Sequence, residues 1–180
     1  MVDKNSIFDA VRSLLESIPP GVTLEAAAKT RSLEEVEAVI EAGVTHIGYN
    51  YVQESLPIIQ QIGSRATWHM IGHLQRNKAR VVVENYDFIE TLDSWQLALT
   101  LERLCEEQQK SLPVLIEINS GREENKTGVL PEDVDDLVQK IATSRSIADL
   151  DDIPDSVKAI FLTAADISPE QHIRMQAVFQ

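Results

Sequence analysis

The alternation of short apolar runs with amphipathic stretches constrains the fold of this 180-residue chain more than any other feature. The apolar runs have the length of strands, and the stretches between them repeat apolar residues at helical spacing. Regular βα alternation of this kind predicts a parallel sheet, either an open doubly wound sheet or a barrel. The period alone does not separate these two folds.

The pattern predicts six strands and seven helices. The strands are predicted over 22–28, 45–48, 66–71, 86–91, 113–119 and 157–163. The helices are predicted over 6–16, 33–43, 51–62, 76–84, 93–109, 131–141 and from 168 to the end, with a polar loop over 143–155. Ser32 and Glu35 predict a capping box at the start of the second helix. Because a complete βα barrel has eight strands, six strands predict an incomplete barrel if the chain is a barrel at all.

Composition sets limits on the class of protein. With 43% apolar residues, the chain can bury one core, and we expect a single domain over 1–180. Its formal charge of −13 argues against a nucleic-acid partner, since phosphate binding needs clustered Lys and Arg. No apolar run reaches the ~20 residues of a membrane span. The single cysteine, Cys105, lies in a predicted helix, which suits a buried thiol in a reducing cytoplasm.

Lys29 follows the first predicted strand and so lies at its carboxyl end, where βα proteins hold their ligands. A lysine amine attacks a carbonyl only when it is neutral, which requires partial desolvation or a neighbouring cation such as Arg31. From position alone, a lysine with a solvated ammonium is the commoner role. The alanines at 26–28 leave room beside the amine for a flat ring.

Residues 68–78, WHMIGHLQRNK, pass from the third strand towards a helix. His69 and His73 are four apart, and along a strand their side chains would lie ~13 Å from each other. Neither a third ligand nor an HExxH glutamate accompanies them, so this pair predicts no zinc site. His73 is expected to face the cleft, and Arg76 supplies a cation at the helix start.

Two further loops carry polar groups. Asn50 ends the second strand, where its amide suits either a ligand oxygen or the cap of the next helix. Lys126-Thr127 resembles the end of a P-loop, but Ser120 and Asn125 stand where that motif requires glycine, so a nucleotide site is not predicted. Lys126 is equally consistent with a solvated loop lysine and with a ligand contact.

Four segments together resemble the pyridoxal phosphate homeostasis protein family. They are Ala28-Lys29-Thr30, Gly48–Glu54, Trp68–Lys78 and Gly121–Gly128. The chain departs from the family pattern at Ala28, where serine is usual, and at Tyr49, where the family has an acidic residue. The second departure puts any acid–base or orienting role of position 49 in doubt.

The resemblance implies a TIM (β/α) barrel of the alanine racemase N-terminal type, here with about six βα units. It also implies pyridoxal 5'-phosphate (PLP) as the cofactor, held as a Schiff base by Lys29. The cofactor-binding residues that we expect on this basis are Lys29, Asn50, His73, Arg76 and Lys126.

The resemblance is good over residues 7–142 and loose over 157–180. The family's last strands and the loop that grips the cofactor phosphate have no counterpart here. We therefore expect either a homodimer that covers the open barrel edge or a monomer that binds the cofactor weakly.

Three functions follow as expectations. The first is a cytoplasmic PLP-binding carrier or regulator in intracellular vitamin B6 homeostasis, without established catalytic activity. The second is an amino-acid racemase-type PLP enzyme, which needs a second acid–base group such as a tyrosine. The third is a cofactor-free interaction protein on the same scaffold. A visible imine band that Lys29→Ala abolishes and Lys126→Ala preserves supports the first function, and a racemisation assay separates the second.

Overall fold

A computed structural model describes residues 4–143 and the backbone of 161–163. It contains one six-stranded sheet in which every neighbouring pair is parallel and the strand order follows the chain. Consecutive parallel neighbours joined by helices form a barrel wall, and the strand order therefore confirms the predicted βα barrel fold, to which the described residues contribute six strands. No helix in this described part is long and apolar enough to cross a membrane.

All six predicted strands are present, and most are shorter than predicted. They are β1 (Glu25–Ala27), β2 (His46–Tyr49), β3 (Thr67–Met70), β4 (Phe88–Leu92), β5 (Val114–Ile118) and β6 (Phe161–Thr163). The apolar run before β1 begins at Val22, but strand pairing with β2 begins only at Glu25. Apolar pattern thus locates each strand, whereas its ends depend on where the neighbouring strand offers hydrogen bonds.

The helices within the described residues also lie where the pattern predicts them. They are α1 (Lys4–Ser17), α2 (Leu33–Glu41), α3 (Val52–Ile62), α4 (Ala79–Asn85), α5 (Trp95–Gln108) and α6 (Val134–Ala142). Two predicted helices, over 76–84 and 131–141, begin instead with a single 3₁₀ turn, over Arg76–Lys78 and Pro131–Asp133. The predicted loop over 143–155, apart from Thr143, and the helix from 168 lie outside the described residues.

The two faces of the sheet differ in polarity because side chains alternate along a strand. One face carries the buried side chains Ile47, Tyr49, Trp68, Met70 and Ile89, which join the apolar core with the helices. The other face carries Glu25, His46, His69 and Glu90, which contact one another. The barrel wall therefore has an apolar outer layer and a polar inner face.

Candidate functional site

The carboxyl ends of β1 to β5 meet at one rim, and the polar residues that follow them line it. Lys29 follows β1 after one residue, Asn50 follows β2 directly, and Asp93 follows β4. Two adjoining clefts, of about 370 and 470 Å³, open at the ends of β2 to β5, and Lys29 is not among the residues that line them. Volumes of this size suit a small-molecule ligand.

Lys29 is exposed, and its Nζ lies 5.8 Å from the centroid of the Tyr51 ring. The next residue, Thr30, has a φ of 61° and donates its N–H to Glu54 Oε2 at 3.3 Å. Glu54 belongs to α3, so this bond ties the lysine loop to the β2–α3 unit. Arg31, the cation considered for activating the amine, pairs with Glu35 at 3.2 Å instead.

Asn50 lines the first cleft together with Tyr51, Gly72, His73 and Lys78. It is not the cap of α3, because the N-cap residue is Tyr51 and no side chain accepts a hydrogen bond there. The expectation that Asn50 caps the next helix is therefore wrong. A Cβ at Gly72 would overlap Asn50 O, so glycine lets the ends of β2 and β3 touch.

His73 borders both clefts and is about half exposed. Its Nδ1 lies 3.0 Å from Asp93 Oδ2. A carboxylate in this position orients the imidazole and favours the tautomer whose Nδ1–H points to it, which leaves Nε2 available. Asp93 was predicted only as a helix start, although its place directly after a strand is the signal that could have identified it.

Arg76 lines the second cleft with Ser94, Thr127 and Gly128. Lys126 does not join it, because its Nζ pairs with Glu123 Oε1 at 2.6 Å and the side chain is half exposed. The neighbours of Lys126, Thr127 and Gly128, are the residues that this loop brings to the cleft. Asn119 organises the loop by donating its amide N–H to Glu123 O and accepting from Glu123 N–H.

Glu117 is a further rim residue that the sequence analysis missed. Both of its carboxylate oxygens accept from Thr127 Oγ1, at 3.2 and 3.1 Å. Burial and the charge of Asp93 raise the pKa of Glu117, while Thr127 and His73 oppose the rise. One charged residue within the apolar run PVLIEIN was the available signal.

Tyr49, where the family has an acidic residue, does not face the clefts. It is 1% exposed in the core and packs 6.4 Å from the Trp68 ring. Cys105 is partly buried on α5, where burial raises the pKa of its thiol, as befits a packing residue.

Comparison with known proteins identifies the family. The model of the alanine racemase N-terminal domain matches residues 2–153. The pyridoxal phosphate homeostasis protein of Synechocystis is 37% identical over 123 residues, and that of Escherichia coli is 36% identical over 128. These matches cover 67% and 69% of this chain but only 56% and 55% of those proteins, so the chain spans about half the length of the curated relatives.

Solved structures agree with this assignment. PipY of Synechococcus elongatus with PLP bound has a TM-score of 0.70 and 31% identity, covering 76% of this chain and 64% of PipY. Alanine racemase of Bartonella henselae has a TM-score of 0.66 at 16% identity, over 78% of this chain and 40% of that enzyme, which is a likeness of fold alone. The resemblance to pyridoxal phosphate homeostasis proteins is confirmed, and the chain belongs to the alanine racemase N-terminal domain family.

Proposed function

We propose that this chain binds PLP covalently through Lys29 and acts in intracellular vitamin B6 homeostasis. The observation that carries the proposal is the position of Lys29 at the β1 end of a rim whose fold, at 31% identity, is that of PipY with PLP bound. When bound, PLP supplies an aldehyde that condenses with a neutral amine, with loss of water. We place this role in the cytoplasm, and we infer no nucleic-acid partner from the net charge of −13.

The donor groups at the rim fit the cofactor. The Asn50 amide suits a ring oxygen, and the Arg76 guanidinium suits the phosphate as a charge-assisted donor. His73, whose Nδ1 lies 3.0 Å from Asp93, borders both clefts and suits a polar group of the cofactor. Lys126 is the weakest of the five expected binding residues, because its charge is already paired with Glu123.

The experiment mixes the purified chain with PLP and records the imine absorbance. We expect a band that borohydride fixes to the peptide containing Lys29. Lys29→Ala removes the band, and the matched control Lys126→Ala retains it. A band that survives Lys29→Ala, or a label mapped to another lysine, would refute the proposal.

Arg76→Gln separates phosphate recognition from imine formation. We expect PLP to bind at least tenfold more weakly to this variant, while pyridoxal, which lacks the phosphate, binds as it does to the wild type. Equal losses for both vitamers would show that Arg76 acts on the fold and not on the phosphate.

The racemase alternative is tested at Tyr51. Tyr49 and Tyr86 are fully buried, whereas Tyr51 is 52% exposed and lies beside Lys29. Conversion of L-alanine to D-alanine that Tyr51→Phe abolishes would favour an enzyme. PLP binding without racemisation favours the carrier, and the absence of any PLP binding favours the cofactor-free interaction protein.

A further inference from the structure

A second polar cluster lies on the inner face of the barrel wall, away from the rim. Its members come from four consecutive strands: Glu25 from β1, His46 from β2, His69 from β3 and Glu90 from β4. His69 Nδ1 lies 2.8 Å from Glu90 Oε1 and 3.5 Å from Glu25 Oε2. The nearest ligand atoms of Glu25, His69 and Glu90 all lie within 4.8 Å of one another.

The cluster is largely buried. The side chain of His69 is 1% exposed, that of Glu90 6% and that of Glu25 13%. Two carboxylates facing one ring nitrogen in such a place repel each other strongly, since water screens them poorly. A cation between the two carboxylates would relieve this repulsion.

The ring of His69 is held from its other side by His46. His46 Nδ1 lies 2.8 Å from His69 Nε2. When His69 donates its Nε2–H to His46, the Nδ1 lone pair faces the two carboxylates. Three electron-pair donors then converge on one point, which is the arrangement of a metal centre whose histidine is oriented through its second nitrogen.

We propose that Glu25, His69 and Glu90 bind a divalent transition-metal ion of the zinc class, with His46 orienting His69. Zinc takes imidazole and carboxylate ligands at about 2.0–2.2 Å, which places neighbouring ligand atoms roughly 3.3–3.6 Å apart in a tetrahedron. The 3.5 Å separation of His69 from Glu25 lies within that range, and the 2.8 Å separation from Glu90 is shorter, so the Glu90 carboxylate must move outward for the three ligands to share one ion. One position of the tetrahedron stays open for a water molecule or a further ligand.

Two backbone features make room for this arrangement. A Cβ at Gly48 would overlap Glu25 Oε1, so only glycine on β2 lets the Glu25 carboxylate reach across to β3. Glu90 lies where the register between β4 and β5 shifts between Ile89 and Leu92. Irregularities of this kind re-aim a side chain.

The proposed ion would connect neighbouring strands of the sheet and would not contact a ligand bound at the rim. Glu25 precedes Lys29 by four residues, a distance of about 13 Å along an extended chain. The site joins β1, β3 and β4, and the proposal is independent of PLP binding. The sequence predicted no metal for His69 because its partners are distant along the chain.

The test is calorimetric titration of the chelator-treated full chain with Zn²⁺, without PLP, together with elemental analysis of the dialysed complex. We expect one equivalent of zinc per chain. His69→Gln should abolish this binding, and Glu25→Gln and Glu90→Gln should each weaken it at least tenfold. His46→Gln should weaken it about 10–100-fold, as loss of an orienting partner does.

The matched control is His73→Gln, which removes a histidine that also contacts a carboxylate but lies at the rim. It should bind zinc as tightly as the wild type, and circular dichroism should show that each variant compared is folded. If Glu25→Gln or Glu90→Gln does not fold, the zinc affinity of the folded His46→Gln variant tests the proposal. Failure of the folded wild type to bind one equivalent, undiminished binding by folded His69→Gln, or a loss confined to His73→Gln would overturn the proposal.

Discussion

At the scale of single residues, the rim depends on a close approach of two backbones. Gly72 follows β3, and a Cβ there would lie 2.6 Å from Asn50 Cα and overlap Asn50 O. Thr91 also fixes the position of Gly72, because its hydroxyl donates a hydrogen bond to Gly72 O at 2.7 Å. Gly72 thus sets the spacing between Asn50 and His73, which line the first cleft from the ends of the neighbouring strands β2 and β3.

The first prediction concerns Gly72→Ala. The added methyl group must push apart two backbones, and we expect a loss of about 1–3 kcal/mol in the free energy of unfolding, measured with urea. PLP affinity should fall as well, because Asn50 moves relative to His73.

Gly63→Ala is the control for that substitution. Gly63 has a φ of 62° and a ψ of −137°, and no atom lies within 4 Å of the place that the added methyl group would take, so only backbone strain of about 1–3 kcal/mol applies. PLP binding should be unchanged in this variant. Equal effects of the two substitutions on binding would contradict the role of Gly72.

At the scale of elements, α2 begins with the capping box that the sequence predicted. Glu35 N–H donates to Ser32 Oγ at 3.3 Å, and Ser32 N–H donates to Glu35 Oε2 at 2.8 Å. The hydrogen bond from Ser32 N–H, followed by the Arg31 bond, lowers the pKa of the Glu35 carboxyl. The box fixes the helix start directly after the lysine loop.

The second prediction is that Ser32→Ala lowers the free energy of unfolding by about 1 kcal/mol, because the N-cap bond to Glu35 N–H is lost. Urea denaturation measures the change. Ser64→Ala, at an exposed serine outside a helix cap, should stay within about 0.5 kcal/mol of the wild type. A similar loss in both variants would argue against capping as the cause.

A lysine joins the ends of α4 and α5. Lys110 Nζ donates to the carbonyls of Val83 and Tyr86, each at 2.7 Å. Carbonyls at a helix C-terminus lack intrahelical partners, and a cation there satisfies them and favours the helix dipole. Lys110 is partly buried, so water does not replace it easily.

The third prediction is that Lys110→Met costs about 1–3 kcal/mol of unfolding free energy, because two buried carbonyls lose a charged donor. Thermal or urea unfolding can measure it. Lys140→Met is the matched control: Lys140 is half exposed and pairs with Asp136, an i,i+4 partner. This substitution should lower the free energy of unfolding by no more than about 0.5 kcal/mol.

At the scale of the whole molecule, opposite effects limit stability at low and high pH. A backbone hydrogen bond from Ser32, followed by Arg31, lowers the pKa of the partly exposed Glu35, and arginine partners lower the pKa values of the exposed Glu107 and Glu132. Burial raises the pKa of Tyr49 to about 12 and raises that of Tyr86. The carboxyls stabilise the fold above their ordinary pKa of 4.5 and lose this contribution as the pH falls. Folding raises the pKa values of both tyrosines, so the folded state favours their protonated form. Their contribution to the free energy of unfolding is therefore complete below the ordinary pKa of 10 and is lost as the pH rises.

The fourth prediction is a stability plateau between about pH 7 and pH 9, measured as urea midpoints. Burial lowers the pKa of His46 from its ordinary 6.5 and raises the pKa of the Cys105 thiol from its ordinary 9.0, and these two groups set the limits of the plateau. The acid decline should weaken in high salt, since its ion pairs are exposed. The alkaline decline between about pH 10 and 12 should persist in salt and reach on the order of 2 kcal/mol for Tyr49.

Tyr49→Phe should reduce that alkaline decline. At about pH 7 it should be at least as stable as the wild type, because Tyr49 OH is buried without a hydrogen-bond partner among the described residues. Tyr86→Phe should be destabilised at the same pH, since Tyr86 OH hydrogen-bonds Ser55 Oγ. An unchanged alkaline decline in Tyr49→Phe would contradict the assignment.

Local pattern accounts for the features that the sequence predicted correctly. Each strand and helix has its own apolar period, and the Ser32 cap and the position of Lys29 after β1 are local along the chain. The strand ends and the 3₁₀ turn at Arg76–Lys78 were missed, because they depend on hydrogen bonds from neighbouring strands and loops.

The sequence by itself determined the βα order, the parallel sheet and the rim position of Lys29, since these follow from apolar period and from where each strand ends. Only the tertiary structure decided which polar residues meet. Glu25, His69 and Glu90 are brought together by the register of β1 to β4, and His73 meets Asp93 across two strand ends. The tertiary structure also paired the Lys126 ammonium with the Glu123 carboxylate, outside both clefts. Register and loop closure are set by contacts between residues far apart in the chain, which the spacing of residues along one segment does not encode.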